Sequence, residues 1–119
     1  MKTNPPSVDD LVSQFAEIAT RMGVEGLYGS ISVYNRLYDK MRTIEQELKS
    51  MQGDQRSALL RLYDHPDMEV RLLAAKATRS IAEREARMAL ERIRDSDWPQ
   101  KLDAGMALHA WDDGIWQAD

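Results

Sequence analysis

Residues 62–81 read LYDHPDMEVRLLAAKATRSI, and residues 92–111 read RIRDSDWPQKLDAGMALHAW. Laid over each other at an offset of thirty residues, the two stretches share their chemistry. Asp67 falls on Asp97, Arg71 on Lys101, Leu72 on Leu102, Ala74 on Ala104 and Ala77 on Ala107. Just upstream, Leu60 falls on Leu90 and Tyr63 on Ile93. In each copy an aspartate can accept backbone N–H bonds at a helix start. Small residues then follow, where one helix must approach its neighbours closely. Pro66 disfavours helical geometry at His65, which sets a turn ahead of the first Asp. A period of this length fits a two-helix unit of a stacked array.

Outward from this pair, the whole chain reads as helix. Prolines stand only at positions 5, 6, 66 and 99. No window alternates with period two for long enough to make a strand. Residues 1–6 read as a disordered tail. Ser7 and Asp10 form a capping-box pair, which starts a first helix ending near Met22. Leu11, Val12, Phe15, Ile18, Ala19 and Met22 lie on its apolar stripe. Gly23, Gly26 and Gly29 read as a connector. Ser30 caps a second helix reaching about Gln52, with an apolar stripe from Ile31 through Tyr34, Leu37, Tyr38, Met41, Ile44 and Leu48 to Met51. Gly53 stops it. Further helices are expected over 55–64, 68–82 and from about Glu85 to Asp95. Asp97 is expected to cap the last helix, with Pro99 in its first turn. That helix ends at Asp113-Gly114, where Gly114 can take the left-handed conformation.

The stretch 62–81 resembles the HEAT-repeat signature of bacterial HEAT-like proteins. Asp64, Asp67, Val70-Arg71, Ala74-Ala75, Ala77 and Ile81 carry the resemblance. It implies that Arg71 reaches an aspartate in the inter-helix turn. The copy at 92–111 departs from the pattern: Gln100 stands where valine is expected, after Trp98-Pro99. Terminal repeats often depart in this way because they act as caps. LVSQFAEIA at 11–19, YNRLYDKM at 34–41, the repeat, and DAGMALHAWDDG at 103–114 follow in order. Together they resemble a family of small bacterial HEAT-like proteins known as a domain of unknown function. That resemblance implies an all-α fold and carries no reaction, cofactor or site. The fold expected is a short α-solenoid of HEAT-like hairpins, about six helices, with right-handed superhelical stacking. It forms one domain over 1–119: a helical pair over 7–53, then two hairpins over 54–114.

Composition bounds the chemistry. There is no cysteine, so disulfides and thiolate chemistry are excluded. The N-terminal residues are polar and lead to Asp9 and Asp10, which is unlike a secretory signal. No run is long enough to span a bilayer, and a cytoplasmic location is expected. The formal net charge is −4, with 16 basic and 20 acidic residues, which argues against a dedicated nucleic-acid binder. Residues 54–95 are nearly balanced. Residues 96–119 hold Lys101 alone against Asp97, Asp103, Asp112, Asp113 and Asp119.

Candidate sites are few. His65 sits in an Asp-His-Pro-Asp turn. His109, Asp112 and Asp113 could share one helix face, but no further metal ligands accompany them, and a solvated helix end is the simpler reading. Gly23 to Gly29 links helix to helix rather than strand to helix, so it is a poor phosphate cradle. Arg79, Arg84, Arg87, Arg92 and Arg94 interleave with Glu83, Glu85 and Glu91, the pattern of a wet helix face. The tyrosines at helical spacing read as core with the hydroxyl turned outward. Trp116 either lids the open end of the core or anchors a partner.

The expectation is therefore a non-enzymatic protein–protein interaction module, an immunity or adaptor protein in its sharper form, with no cofactor, no metal and no membrane. A nucleic-acid-binding HEAT-like protein and an uncharacterised enzyme are the alternatives. The partner is another protein, a basic one in the sharper form, and a homo-oligomer is compatible with the same surface. The expected contact residues are Glu69, Lys76, Arg79, Lys101, Asp103, His109, Asp112, Asp113 and Trp116.

Overall fold

A computed structural model describes residues 5–118 of the chain. Five α-helices and one 3-10 helix make up its regular structure: α1 (Val8–Tyr28), α2 (Ile31–Ser50), the 3-10 helix (Gln55–Asp64), α3 (Met68–Ala77), α4 (Glu83–Arg94) and α5 (Lys101–Asp112). No strand occurs among the described residues. The tail expected over 1–6 lies outside the described residues except for Pro5 and Pro6, which precede α1 without regular structure. The chain divides into two compact units, one ending at Ala58 and one beginning at Leu59.

In the first unit α1 packs on α2. The Ser7 side chain accepts the Asp10 N–H, and the Asp10 carboxylate accepts the Ser7 N–H, as the capping box requires. Leu11, Val12, Phe15, Ala19 and Met22 are buried on α1, and Leu37, Met41, Ile44 and Leu48 on α2. The helix does not stop at Met22. It runs through Gly23 and Gly26 to Tyr28, although each glycine costs a helix interior about 1 kcal/mol. Met22 is the last buried residue of α1; beyond it Val24, Leu27 and Tyr28 are exposed, and Gly26 faces the Tyr34 ring of α2.

The break falls at Gly29, where an added Cβ would collide with the Glu25 carboxylate. That carboxylate accepts the Ser30 N–H at 3.1 Å, and Ser30 caps α2 by accepting from Ser32. Ile31 and Tyr38, read as part of the apolar stripe, are exposed, as is Tyr28. Gly53 and Asp54 both take positive φ after α2, the conformation that glycine and aspartate tolerate best. The Asp54 carboxylate then accepts from the Arg56 guanidinium at 2.6 Å. This contact holds its carboxyl below the ordinary range.

The stretch expected as an α-helix over 55–64 is a 3-10 helix. Arg56, Ala58, Leu59 and Leu62 are its buried residues, and Arg56, Leu59 and Leu62 recur at a spacing of three, which matches three residues per turn. In the second unit α3 packs on α4 and α4 on α5. Met68, Leu72, Ala75, Ala89, Leu90, Ile93, Ala104, Ala107 and Leu108 form one core cluster, with Tyr63 and Trp111 packed against it. Val70 and Ala74 are fully buried, as the apolar pattern predicts.

Helix α3 ends at Ala77, short of the expected Ala82. The buried Thr78 hydroxyl donates to the Ala74 carbonyl at 2.9 Å, and the Thr78 N–H turns to Ala75. A threonine hydroxyl bonded back along its helix competes with the backbone ladder. With its one proton so used, Thr78 accepts from the Tyr63 hydroxyl at 2.5 Å. Burial is the leading cause that raises the Tyr63 pKa.

Helix α5 begins at Lys101, and Asp97 does not cap it. Gln100 holds the cap position with helical backbone, and its side chain makes no capping bond. The preceding turn is instead closed by Ser96, whose hydroxyl accepts the Trp98 N–H. Gly114 has φ +73°, the left-handed C′ conformation that its position after Asp113 predicts.

Candidate functional site

Side chains from α3 and α5, far apart in sequence, meet along one polar seam. At its start Asp67 caps α3 by accepting the Glu69 N–H at 2.8 Å. His65 holds the same turn, its Nδ1 accepting the Asp67 N–H at 3.0 Å. Arg71 does reach this turn, but its Nε donates to the His65 carbonyl oxygen rather than to an aspartate carboxylate. A backbone carbonyl, presented by the Pro66 turn, serves as acceptor as well as a carboxylate would.

Glu69 is half-buried. Burial raises its pKa, with Asp103 and Asp67 adding to the effect; Lys76 and a hydrogen bond from Gln100 oppose it. The Gln100 Oε1 is itself buried without a hydrogen-bond partner. About two turns further along α3, Lys76 Nζ pairs with Asp103 at 3.2 Å, joining α3 to α5. Both side chains are partly exposed, so this pair positions more than it stabilises.

The far end of the seam is aromatic. Trp111 and Trp116 meet edge to face, with centroids 5.3 Å apart. The Arg79 guanidinium lies 4.2 Å from the Trp116 ring centre, and Arg87 lies 4.6 Å from that of Trp111. Arg87 also donates to Asp112 at 2.7 Å. Trp116 is half-buried over Trp111, which packs on the core cluster. Arginine over an indole face adds roughly 0.5–2 kcal/mol according to its exposure.

These contacts alter the reading of the acidic end. Asp103 and Asp112 are each paired with a cation from an earlier helix. Asp119 lies outside the described residues. Asp113 stands exposed with His109 Nε2 at 3.8 Å. Among the described residues, no group of three His, Cys, Asp or Glu side chains is placed to hold a metal ion. No helix among them is long and apolar enough to cross a membrane.

The structure thus splits the expected contact residues between two places. Glu69, Lys76, Arg79, Asp103, Asp112 and Trp116 belong to the seam. Lys101, His109 and Asp113 line a separate groove of about 570 Å³ on the outer side of α5. Its large apolar members are Leu102, Met106 and Ile115, at 74%, 72% and 79% exposure. Sequence reasoning missed these three because it placed Leu102 with buried Leu72. The signal was present: with Ala104, Ala107 and Leu108 inward, Leu102 and Met106 fall on the opposite side of a helix. A smaller cavity of about 210 Å³ lies beside Arg71, Arg92 and Trp98.

With this geometry in view, the comparisons with known proteins bear on the family. The model of a family described as a domain of unknown function (DUF2019) matches residues 9–112. The chain belongs to that family. It is also similar to a solved structure, the protein RPA1889 from Rhodopseudomonas palustris CGA009, at 43% identity and a TM-score of 0.92. That likeness covers 99% of this chain and 100% of the other. Comparison with curated proteins gave no match.

Proposed function

We propose that this chain is a non-enzymatic protein–protein interaction module of the cytoplasm, working as an adaptor or immunity protein. Its helices build a short α-solenoid of HEAT-like hairpins, with α3 and α5 as the second helices of successive units. The matched small residues Ala74 and Ala104, both fully buried, support that reading, since close helix approach is what such units need. The observation that carries the functional reading is the α3–α5 seam. It sets charged groups from two helices in defined mutual geometry on an accessible surface, and such surfaces recognise partners without chemistry. The partner is a protein with a basic face. At the end of α5 the exposed Asp113 draws it in, with Asp112 available once the partner's cations compete with Arg87, which speeds encounter more than it tightens the docked state. Trp116, already ordered against Trp111 and Arg79, supplies a pre-placed aromatic anchor.

Reversal of Asp112 and Asp113 to lysine tests this. Circular dichroism should show an intact fold, because both side chains are more than half exposed. In a pull-down from the native host, the variant should recover less partner, with slower association. Recovery of the same partners at the same yield and on-rate would refute the role of the acidic end.

A further inference from the structure

We propose that the outer side of α5 is a self-association surface, on which a second copy of this chain docks its own α5 antiparallel about a two-fold axis. This deepens the binding-module reading by naming an occupant for one face. The face is apolar along its middle and oppositely charged at its ends. Leu102, Met106 and Ile115 are each more than 70% exposed on one groove, and clustered exposed apolar side chains rimmed by polar ones mark interaction surfaces. Gly105 lies between Leu102 and Met106 in the same groove, against the Arg94 side chain.

The charges choose the occupant. Lys101 stands at the N-terminal end of the groove and Asp113 at the C-terminal end. Arg94 also borders it, but Asp95 holds that guanidinium at 2.9 Å, so Lys101 supplies the positive end. An occupant of a single sign is opposed at one end. The matching occupant carries cation, apolar stripe and carboxylate in the reverse direction, at a separation of roughly 18 Å for twelve helical residues. A second α5 meets all of these conditions when it lies antiparallel. Lys101 of each copy then faces Asp113 of the other, two equivalent pairs from one operation, as an isologous interface requires. The helix dipoles oppose in the same arrangement. A parallel arrangement sets like charge on like.

Sedimentation velocity of the full chain over a concentration series tests the proposal. A reversible monomer–dimer equilibrium is expected, weak because a single helix face makes a small interface. Leu102→Glu and Met106→Glu should each weaken it roughly a hundredfold, with unchanged melting because both positions are exposed in the monomer. Lys101→Glu and Asp113→Lys should each weaken it about threefold to tenfold, and the double reversal should restore it. Sedimentation as a monomer at every concentration overturns the proposal and leaves the pull-down above to decide whether a different protein binds. A dimer indifferent to Leu102→Glu overturns it too, as does a double reversal that weakens as the sum of its parts.

Discussion

Helices α3 and α5 carry matched sequences and live in different surroundings. Ala74 and Ala104 are equally buried, yet Leu72 is 1% exposed and Leu102 is 74% exposed. Val70 is fully buried, whereas its counterpart Gln100 sits half-buried at a helix start. Asp67 caps α3, and Asp97 caps nothing. The small residues keep their role because they serve the approach of neighbouring helices in both places. The large residues do not, because their burial depends on what lies beyond, and no described helix follows α5.

The largest test of this contrast lies in the matched leucines. Leu72→Ala should lose about 2–5 kcal/mol, the cost of removed contacts plus a residual cavity. Leu102→Ala should stay within about 0.5 kcal/mol of the parent, as exposed sites do. Urea denaturation of the two variants measures both, and equal losses would erase the difference between the helices.

Next in size is Trp116. Trp116→Ala removes the edge contact with Trp111 and the Arg79 stack, and should cost about 1–2 kcal/mol. Thermal melting would read this, and an unchanged midpoint would mean that the second unit needs no cover at that end.

The smallest effect belongs to Glu69. Its folded pKa is raised above the ordinary 4.5, first by burial and then by Asp103 and Asp67. The folded state therefore holds its proton to higher pH than the unfolded state. Stability is present below 4.5 and falls as pH rises through the raised folded value. Glu69→Gln lacks that loss, so its advantage over the parent should grow across this window, by a small amount because solvent screens the site. Melting temperatures measured on both sides of the window decide it. A difference that does not move with pH would show that Glu69 feels no burial at the seam.

Much of this could be read in the residues. Ser7, Ser30 and Asp67 mark helix starts through bonds made within a few positions, and so did Gly114 as a helix end. The core positions Leu11, Phe15, Leu48, Val70 and Ala74 followed from a period that every helix imposes. Where the reading slipped, a distant contact had won. Gly23 and Gly26 remain helical, with Gly26 facing the Tyr34 ring of α2. Thr78 ends α3 while also accepting from Tyr63, fifteen positions away. Asp103 and Asp112 were counted as open charge, but Lys76 and Arg87 reach them across 27 and 25 positions.

The sequence by itself determined the all-helical class, most of the helix starts and the apolar stripes, because propensity, capping and periodicity act over one or two turns. Only the tertiary structure decided which of two matched leucines is covered, which carboxylates are paired and where Trp116 rests. Those outcomes depend on which surfaces meet across long stretches of chain, and no local pattern encodes that meeting.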